Sequence, residues 1–410
     1  MPRKKEADAL VVVGGIYRER CARPQWDEIY GSAGRAASAL ARMDAKVELH
    51  AYADALSEET IRSRAAFERF VFEPILVLQT LTFDYHHGLD VPRIGGRGEI
   101  KEAIQVKAKN VVRFGMLQGD AVVRADRVVY DPQDGIAPAS YGANGSSARH
   151  LAIVLNRAEA ELLTGRKGQT TGRIARAVRR QEGADAVVIK NGPQGALVLE
   201  GNSLTQVPAF ASERVWKIGS GDMFVAHFAY HWLANRRSAA RSAALASRAT
   251  AFYCETRGAP SANQLAEFSR PPVLPSARFR RGRRPRVYLA GPFFTLATLW
   301  MVEQARACLA GAGLDVLSPY HDVGHGSALD VVPRDLEAIE AADIVFAIGD
   351  GMDPGTVYEV GYARAQGKPV IVYCEDETAE AQKMMQGSGC FLVDDFVSAI
   401  YRALWIACTI

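Results

Sequence analysis

The sequence predicts an α/β protein built of two domains, and three observations lead to this fold class. The chain has 410 residues, which is longer than one hydrophobic core usually extends. Short apolar runs alternate with helical patterns along most of its length, as is typical of mainly parallel sheets covered by helices. A segment rich in proline and arginine interrupts this alternation at 269–285. We therefore expect one domain at 1–268, a linker at 269–285 and a second, smaller domain at 286–410.

The composition is that of a globular protein. Hydrophobic residues make up 48% and charged residues 23%, a balance that allows a large interior. The 49 basic and 46 acidic residues leave a net charge of +3, which gives no global field for nucleic acid. The six cysteines form no CxxC pair, so we predict neither a zinc site nor a disulfide framework. The sequence shows neither a signal-peptide core nor a bilayer-length apolar run, and we expect a soluble cytoplasmic protein without a membrane partner.

The first domain begins with a predicted buried strand. The run LVVVGGI at 10–16 is apolar and ends in glycines, which indicates a strand followed by a tight turn. An alanine-rich helix is predicted at about 31–44, while the polar stretch at 81–110 gives no readable pattern. Further strand-like runs are 47–53, 73–79 and 111–117. The later elements are the strand HLAIVLN, a helix at 157–183, the strands AVVIKNG and GALVLEG, and a long helix from about 221.

The predicted linker contains four prolines and six arginines. Proline removes backbone donors and neighbouring arginines repel one another, so we expect a solvated connection. The arginines could instead bind phosphates or nucleic acid. No binding fold is recognisable around them, and nucleic acid is therefore not expected as a partner.

The second domain repeats the alternation in a shorter series. Its predicted strands are RVYLAGP, LDVLSP, DIVFAIGD and PVIVYCE, and its predicted helices are 297–311, 333–341 and 356–367. This order indicates a small doubly wound parallel sheet of the flavodoxin or Rossmann kind. Ligands of such sheets bind beyond the carboxyl ends of the strands, where Gly291, Pro292, the segment 350–359 and Glu375 are expected to lie.

Two acids flank a glycine turn in the segment DGMDPGTVYEVGYA at 350–363. Asp353 and Glu359 could divide the labour of glycoside chemistry, because one carboxylate can attack the anomeric carbon while the other acid protonates the leaving group. A position at the start of a helix would also favour the ionised form of Glu359 through the macrodipole. Alternatively, Thr356 and Glu359 match a capping box, in which the glutamate only binds a backbone amide.

Three features of the second domain together resemble the nucleoside 2-deoxyribosyltransferases over about 286–375. They are YLAGPFF at 288–294, Asp335 ahead of the run AADIV, and DPGTVYEVGYA at 353–363. The resemblance implies that Glu359 is a nucleophile that forms a covalent deoxyribosyl intermediate. It assigns Asp353 to the leaving base, Asp335 to recognition of base or sugar, and Tyr288 to orienting the nucleophile. It implies no cofactor, and the further substrate contacts that it implies are Gly291, Pro292, Phe293, Gly355 and Thr356.

The same resemblance implies a homo-oligomer, because family members complete their pockets with a polar residue of a neighbouring subunit, often an asparagine. The chain has no asparagine at 381–395, where Gln382, Gln386 and Ser388 occur. This departure leaves open whether water or another base accepts the sugar. For Tyr288, the alternative is a core residue whose hydroxyl is satisfied.

In the first domain, the segment Gly219-Ser-Gly-Asp222 precedes a long predicted helix. Its backbone amides could converge on an anion, and Asp222 could accept a proton from a hydroxyl that attacks a phosphate. Alternatively, the segment is only a helix cap with glycines for the turn.

Together with NRAE at 156–159 and KNGPQG at 190–195, this segment resembles the ribokinase-like (PfkB) sugar and nucleoside kinases over about 8–268. The resemblance implies a ribokinase-like α/β sandwich with ATP and magnesium as cofactors and Asp222 as catalytic base. Asn156 and Glu159 would organise the magnesium through water. The residues implied to form an anion hole are Gly219, Ser220 and Gly221. Those implied to line the nucleotide are Lys190, Gly192 and Gly195.

Two positions depart from the kinase pattern. Arg18 follows a glycine pair where an acid is usual, and GSAGRA at 31–36 lacks the usual asparagine, so the sugar contacts are altered. Arg18 or Arg35 could instead bind a phosphate, because a guanidinium matches it in bidentate fashion. A surface salt bridge is the alternative for both residues.

The sequence as a whole predicts a bifunctional enzyme of nucleoside or nucleotide metabolism, whose partners are small-molecule nucleosides, nucleotides and sugars. The second domain would cleave an N-glycosidic bond or transfer a deoxyribosyl group, and the first would phosphorylate a sugar or nucleoside. The alternative is that the kinase-like domain is a degenerate ligand-sensing module that regulates a nucleotide N-hydrolase.

Overall fold

The computed structural model describes residues 9–96, 101–133 and 137–410. The start of the first predicted domain, at 1–8, lies outside the described residues. Packing divides the chain into two compact units, the first comprising Met1–Ser212 and Trp216–Pro272 and the second Glu213–Val215 and Val273–Ile410. Across the described residues, no helix is both long enough and apolar enough to cross a membrane.

The first unit contains two sheets and a set of helices. Its strands are β1 (Leu10–Val13), β2 (Arg18–Arg23), β3 (Trp26–Ile29), β4 (Val47–Ala53), β5 (Val71–Leu76), β6 (Thr82–His87), β7 (Arg93–Gly95), β8 (Ile104–Phe114), β9 (Ala121–Asp131), β10 (Ser147–Asn156), β11 (Ala186–Lys190), β12 (Ala196–Glu200) and β13 (Ser203–Val207). Its helices are α1 (Gly31–Arg42), α2 (Ala55–Glu68), α3 (Arg157–Thr164), α4 (Thr171–Glu182), α5 (Ser220–Ala229), α6 (Ala239–Thr256) and α7 (Ala262–Glu267).

The larger sheet has nine strands in the order β13-β12-β11-β10-β9-β8-β1-β4-β5. Neighbouring strands from β11 to β5 run parallel, and β12 and β13 add antiparallel pairs at one edge. Successive side chains of a strand point to opposite faces, so Leu10 and Val12 join one hydrophobic cluster while Val11 and Val13 join another. The run LVVV is apolar throughout because both faces of the sheet are covered. This mainly parallel sheet confirms the predicted α/β class.

The polar stretch at 81–110, for which the sequence predicted no secondary structure, contributes to a second, four-stranded sheet. Its order is β3-β2-β6-β7, with β2 and β6 parallel and the outer pairs antiparallel. Five of the six residues of β6 are not fully buried, and β7 has only three residues. Strands this short and this exposed carry little hydrophobic pattern, which explains why the sequence did not reveal them.

The single helix predicted at 157–183 is wrong, because two helices occupy this range. The helix α3 ends at Gly165, which has a left-handed φ of 67° and caps it, and α4 begins only at Thr171. The predicted long helix from about 221 is α5, which continues as one π-helical turn at Tyr230–Ala234.

The second unit has one sheet with helices on both sides. Its strands are β14 (Arg286–Ala290), β15 (Asp315–Leu317), β16 (Ile344–Ile348), β17 (Val370–Tyr373) and β18 (Phe391–Val393). Its helices are α8 (Ala277–Arg280), α9 (Leu296–Gly311), α10 (Ala328–Ala341), α11 (Pro354–Ala365), α12 (Ala379–Gly387) and α13 (Phe396–Thr409). The helix predicted at 333–341 begins five residues earlier in the structure, and Pro333 lies inside it.

All strand pairs of this sheet are parallel, in the order β15-β14-β16-β17-β18. The first strand of the unit, β14, thus lies between the second and the third, which is the flavodoxin-like order of a doubly wound sheet. The prediction of a Rossmann-like second domain is confirmed. The order in which successive strands are added to the sheet reverses between β14 and β16, and ligands of such sheets bind at this switch point.

A short segment that is flanked on both sides in the sequence by the first unit also belongs to the second unit. The backbone amide of Val215 donates to Oγ of Ser398 at 2.8 Å, and Nη2 of Arg214 lies 2.8 Å from Oδ2 of Asp394. The residues Glu213–Val215 therefore bind the start of α13.

Candidate active sites

The switch point of the second unit holds a hydrogen-bonded pair of side chains, Tyr288 and Glu359. Tyr288 is fully buried in the middle of β14, and Glu359 is partly buried in the second turn of α11. The Tyr288 hydroxyl donates to Oε1 of Glu359 at 2.5 Å. Such a short bond to a carboxylate is typical of a charge-assisted interaction, and it fixes the position of the carboxyl group.

The capping box that was considered for Glu359 is wrong. The N-cap of α11 is Asp353, whose Oδ2 accepts from the amide of Thr356 at 2.8 Å and from its hydroxyl at 3.0 Å. Glu359 is therefore the sixth helical residue. Because the effect of the macrodipole falls off within the first turn, the helix start does not govern the ionisation of this carboxyl group.

Burial governs the charge of Glu359 instead. The pKa of Glu359 is raised to about 7, chiefly because burial removes the carboxyl group from water. The hydrogen bond from Tyr288 lowers this pKa, and the negative charges of Asp335 and Asp353 raise it. A carboxyl group with this pKa is charged in about half of the molecules at pH 7. It can therefore act in its ionised form and also exchange a proton near neutral pH.

Asp335 in α10 is close enough to Glu359 to influence its charge. Burial raises the pKa of Asp335 as well, although the charge of Arg334 lowers it. The Oδ1 atom of Asp335 is buried and has no hydrogen-bond partner among the described residues. An orphaned buried oxygen of this kind is a suitable acceptor for a hydroxyl or amine of a substrate.

The predicted substrate residues follow β14 and begin α11. Gly291 lies so close to β16 that an added Cβ atom would be 3.2 Å from Cβ of Ile348. After Pro292, the ring of Phe293 contacts Tyr320, with centroids 5.4 Å apart. Gly355 and Thr356 occupy the first turn of α11, where Thr356 is buried and hydrogen-bonded to Asp353. The sequence did not single out Tyr320, which lies in a π-helical turn at Pro319–Val323 that carries no recognised motif.

In the first unit, Gly219 has a left-handed φ of 75° and caps α5, so that Asp222 lies in the first turn. Asp222 is buried and both of its carboxylate oxygens are engaged. Oδ1 accepts from Nε2 of Gln133 at 2.6 Å, and Oδ2 accepts from Nη1 of Arg35 at 3.0 Å. The amide of Ser220 donates to the carbonyl of Lys217, while the next amides of the turn have no partner within the helix.

Arg35 is neither a surface residue nor a free phosphate ligand, and this corrects both expectations for it. It is 2% exposed and binds the carboxylates of Glu19 and Asp222 together. Its guanidinium lies directly against Gly219, where any added Cβ atom would overlap Nε and Cζ. Arg18 does form a surface salt bridge, with Asp27 at 2.7 Å.

Asn156 and Glu159 form a capping box at the start of α3. The Asn156 side chain accepts from the amide of Glu159 at 2.9 Å, and Oε2 of Glu159 accepts from the amide of Asn156 at 2.7 Å. Asn156 also pairs in register with Lys190 across β10 and β11, so the two motifs share one edge of the sheet. Carboxylate and amide oxygens are the donors that magnesium prefers, and the arrangement is compatible with a metal held through water.

Lys190 has a buried partner that the sequence did not reveal. Its Nζ lies 2.7 Å from Oδ2 of Asp131, which is fully buried at the end of β9. Burial raises the pKa of Asp131 to about 7, although Lys190 lowers it. Burial also lowers the pKa of Lys217, whose Nζ donates to Oγ of Ser220 at 2.9 Å. The signal that could have found Asp131 is an acid at the carboxyl end of an apolar run, the same signal that drew attention to Asn156.

Gly192 begins a 3-10 turn after β11, and Gly195 ends it. Gly195 has a φ of 83°, and an added Cβ atom would lie 2.0 Å from the carbonyl oxygen of Val207. A glycine is therefore required at position 195, because the end of β13 approaches its backbone closely. Contact with a nucleotide remains a prediction for both residues.

Comparisons with known proteins support the division into two kinds of domain. A family model described as nucleoside 2-deoxyribosyltransferase matches residues 287–392, and a model described as pfkB family carbohydrate kinase matches residues 146–265. A search of curated proteins finds no match.

Solved structures of kinases resemble the first part of the chain. Fructokinase from Vibrio cholerae O395 is 16% identical, with a TM-score of 0.50, over 64% of this chain and 99% of its own. Ribokinase from Arabidopsis thaliana is also 16% identical, with a TM-score of 0.49, over 64% of this chain and 100% of its own. At 16% identity the likeness to the fructokinase shows the fold alone, and it confirms the predicted ribokinase-like α/β architecture.

The predicted combination of families is thereby confirmed: this chain joins a region that matches the pfkB family of carbohydrate kinases to a region that matches the nucleoside 2-deoxyribosyltransferases.

Proposed function

We propose that the second unit cleaves N-glycosidic bonds of nucleosides or nucleotides, with Glu359 as nucleophile. The observation that carries this proposal is the hydrogen-bonded, partly buried Tyr288–Glu359 pair at the switch point of a doubly wound sheet, with a glutamate pKa of about 7. A glutamate that only stabilised the helix would be expected at its first turn and exposed to water. Burial of an acid without a cationic partner is costly, and active sites are where proteins tolerate this cost.

The reaction would proceed in two displacements. Oε1 of Glu359 is held by Tyr288, which leaves Oε2 to attack the anomeric carbon. As the new carbon–oxygen bond forms, the bond to the base breaks, and its electron pair goes to the base nitrogen, which takes a proton. We assign this proton transfer to Asp353. Water or a second base would then attack the anomeric carbon and release Glu359 as a carboxylate.

The substrate would be a compact nucleoside or nucleotide with an aromatic base. The rings of Phe293 and Tyr320 offer apolar faces to such a base, and the unpartnered Oδ1 of Asp335 offers an acceptor for a sugar hydroxyl or an exocyclic amine. Gly291, Pro292, Gly355 and Thr356 would line the remaining space.

The test of this proposal is the release of free base from a mixed pool of deoxynucleosides and deoxynucleotides by the full-length chain. We expect Glu359→Gln and Glu359→Ala to abolish release, and intact-mass measurement of the wild-type protein to reveal a glycosyl adduct that both variants lack. Glu340→Gln is a matched control, because Glu340 accepts a hydrogen bond of the same length from Tyr362 at an exposed position. Unchanged base release by Glu359→Ala would refute the proposal.

For the first unit, we propose ATP-dependent phosphorylation of a sugar or nucleoside, with Asp222 as the base that accepts the hydroxyl proton. Asn156 and Glu159 would hold the magnesium through water, Lys190 would contact the nucleotide, and ATP would supply the transferred phosphoryl group. Support comes from the position of Asp222 in the first turn of α5, where the backbone amides of Gly221 and Asp222 have no partner within the helix and are available to an anion.

A second candidate function for this unit is ligand sensing without phosphoryl transfer. It is favoured by Arg35, which neutralises Asp222 and fills the space against Gly219. ATP turnover measured across a panel of sugars and nucleosides separates the two candidates. Turnover that Asp222→Asn abolishes would establish the kinase, and complete lack of turnover would favour the sensor. Asp27→Asn is the control, since it breaks an exposed aspartate–arginine pair.

A further inference from the structure

The first unit contains a cavity that is lined by none of the three kinase-like motifs. Its volume is about 280 Å³, and it opens among α1, α5 and the carboxyl end of α6. Tyr30, Met223 and Tyr253 provide its apolar surfaces, while Asp222 and Gly219 are not among its lining residues. The volume lies at the lower end of what ligand sites enclose, which suits a molecule smaller than a nucleotide.

Two arginines that form no ion pair among the described residues line this cavity. Arg42 has one weak contact, from Nη2 to Oε1 of Gln264 at 3.4 Å. The guanidinium of Arg257 lies over the ring of Trp216 at 4.6 Å from its centroid. Neither residue has a carboxylate partner in the part of the chain that the structure describes. Guanidinium groups that keep their donors free beside a cavity are suited to a phosphate, which they can bind in bidentate fashion.

Two buried polar atoms on the same cavity lack hydrogen bonds. The hydroxyl of Ser38 and Oε2 of Glu68 are buried and have no partner within the described ranges. Ser38 is 5% exposed, and it lies on the same face of α1 as Arg35 and Arg42, three residues from one and four from the other. Unsatisfied buried polar groups are rare and indicate a missing partner. A hydroxyl group can donate to Glu68 and accept from Ser38.

We propose that this cavity binds a sugar phosphate. The phosphate would bind Arg42 and Arg257, the sugar hydroxyls would bind Ser38 and Glu68, and the ring would pack against the tyrosines. The site differs from the proposed transfer site at Asp222, but Arg35 lines the cavity and also binds Asp222. An occupant would therefore lie next to the guanidinium that neutralises the candidate base.

Calorimetric titration of the full-length chain tests the proposal, with ribose 5-phosphate as the probe and without ATP. We expect ribose 5-phosphate to bind, ribose not to bind detectably, and inorganic phosphate to bind more weakly. Arg42→Ala and Arg257→Ala should each weaken binding of the probe by about tenfold, the effect of losing one charged hydrogen bond. Arg42→Lys keeps the charge and should weaken binding less.

The control is Arg176→Ala, which removes an arginine from a different basic cavity, lined also by Arg179 and Arg180. It should bind ribose 5-phosphate with unchanged affinity. Glu359→Gln should bind it as well, so a failure of the glycosidic proposal would not affect this result. Absence of ribose 5-phosphate binding, or equal binding by Arg42→Ala and Arg257→Ala variants whose melting temperatures match the wild type, would overturn the inference.

Discussion

A single hydrogen bond from Tyr288 limits how far burial raises the pKa of Glu359. Desolvation and two neighbouring carboxylates favour the protonated acid, and the phenol hydroxyl favours the charged form. The ionisation of Tyr288 is affected as well, because burial and the adjacent carboxylate raise the pKa of its hydroxyl far above the usual value. Tyr288 therefore acts as a permanent hydrogen-bond donor throughout the physiological pH range.

Replacing Tyr288 by phenylalanine should raise the pKa of Glu359 further above 7. A hydrogen bond to a charged group contributes about 1.5 to 3 kcal/mol, which corresponds to a shift of roughly one to two pH units. Since the nucleophile must be ionised, the rising limb of the pH–rate profile for base release should move to higher pH by this amount. Base release at neutral pH should fall, and it should recover in alkaline solution.

The measurement is the pH dependence of base release, together with a titration of the glutamate carboxyl carbons by nuclear magnetic resonance. Tyr362→Phe is the control, because it removes the corresponding bond to Glu340 at the surface. A pH–rate profile of Tyr288→Phe that coincides with that of the wild type would show that Tyr288 is only a packing residue.

At the level of single residues, the family motifs identified more of the candidate site residues than hydrophobic periodicity or charge pattern did. The sequence singled out Tyr288 and Glu359, and the structure brings them into contact. It did not reveal that Asp353, which precedes Pro354, is the helix cap. The partners of Arg35 could not be predicted from the sequence either, because Glu19 and Asp222 lie 16 and 187 residues away in the chain. Only tertiary packing brings such groups together.

The helix α5 carries a buried histidine that makes the first unit sensitive to acid. His227 is 1% exposed, and neither of its ring nitrogens has a hydrogen-bond partner among the described residues. Burial lowers the pKa of His227 to about 3, and the nearby His231 lowers it as well. In the unfolded chain the imidazole would titrate near its ordinary pKa of about 6.5.

Acidification should therefore destabilise this unit. The unfolded state binds a proton below about pH 6.5 that the folded state rejects, so stability present above that pH is lost as the pH falls toward 3. At about pH 5 the loss from His227 should approach roughly 2 kcal/mol. His227→Leu should remove this part of the pH dependence in urea unfolding. His150→Leu, which changes an exposed histidine, should not. Identical pH dependence in wild type and His227→Leu would contradict the expectation.

At the level of elements, the strong apolar patterns were predictable and the weak ones were not. The strands β1, β14 and β16 are buried on both faces and were predicted from continuous apolar runs. The strand β9 was missed, because exposed Arg124 and partly buried neighbours interrupt its apolar residues. The helices α3 and α4 were joined in the prediction because both are rich in helix-forming residues and only a short segment separates them, although Gly165 ends the first helix and Gly168 follows.

For the molecule as a whole, we propose a homo-oligomer that assembles through the second unit. Large apolar side chains are exposed on its helices, including Leu296 and Trp300 on α9, Leu329 on α10 and Tyr358 on α11. Leu296 and Trp300 are four residues apart and so share one face of the helix. Exposed apolar groups that occur together mark interaction surfaces in soluble proteins.

The double variant Leu296→Glu and Trp300→Glu should dissociate the oligomer, because charges would have to be buried in the interface. Light scattering coupled to size-exclusion chromatography should show the wild type at a multiple of the chain mass and the variant as a monomer. Phe67→Glu is the control, since Phe67 is 85% exposed on α2 of the first unit. A monomeric wild type, or a variant of unchanged mass, would contradict this proposal.

The overall organisation was predicted from length, the proline-rich segment and the two series of strands and helices. The identity of both families followed from short motifs in each series, and the comparisons confirm it. What composition could not convey is which charged groups are buried. The network of Glu19, Arg35 and Asp222 bears directly on whether the first unit is a kinase or a sensor, and it depends on contacts that no local pattern encodes.

The position of Glu213–Val215 in the second unit has a practical consequence for dissecting the gene. A truncated product that starts at Arg286 would retain all five strands of the smaller sheet but would lack the amide that satisfies Ser398 and the arginine beside Asp394. Inactivity of such a fragment would therefore be ambiguous. Questions about cooperation between the two activities are better addressed by point substitutions in the intact polypeptide than by excision of either half.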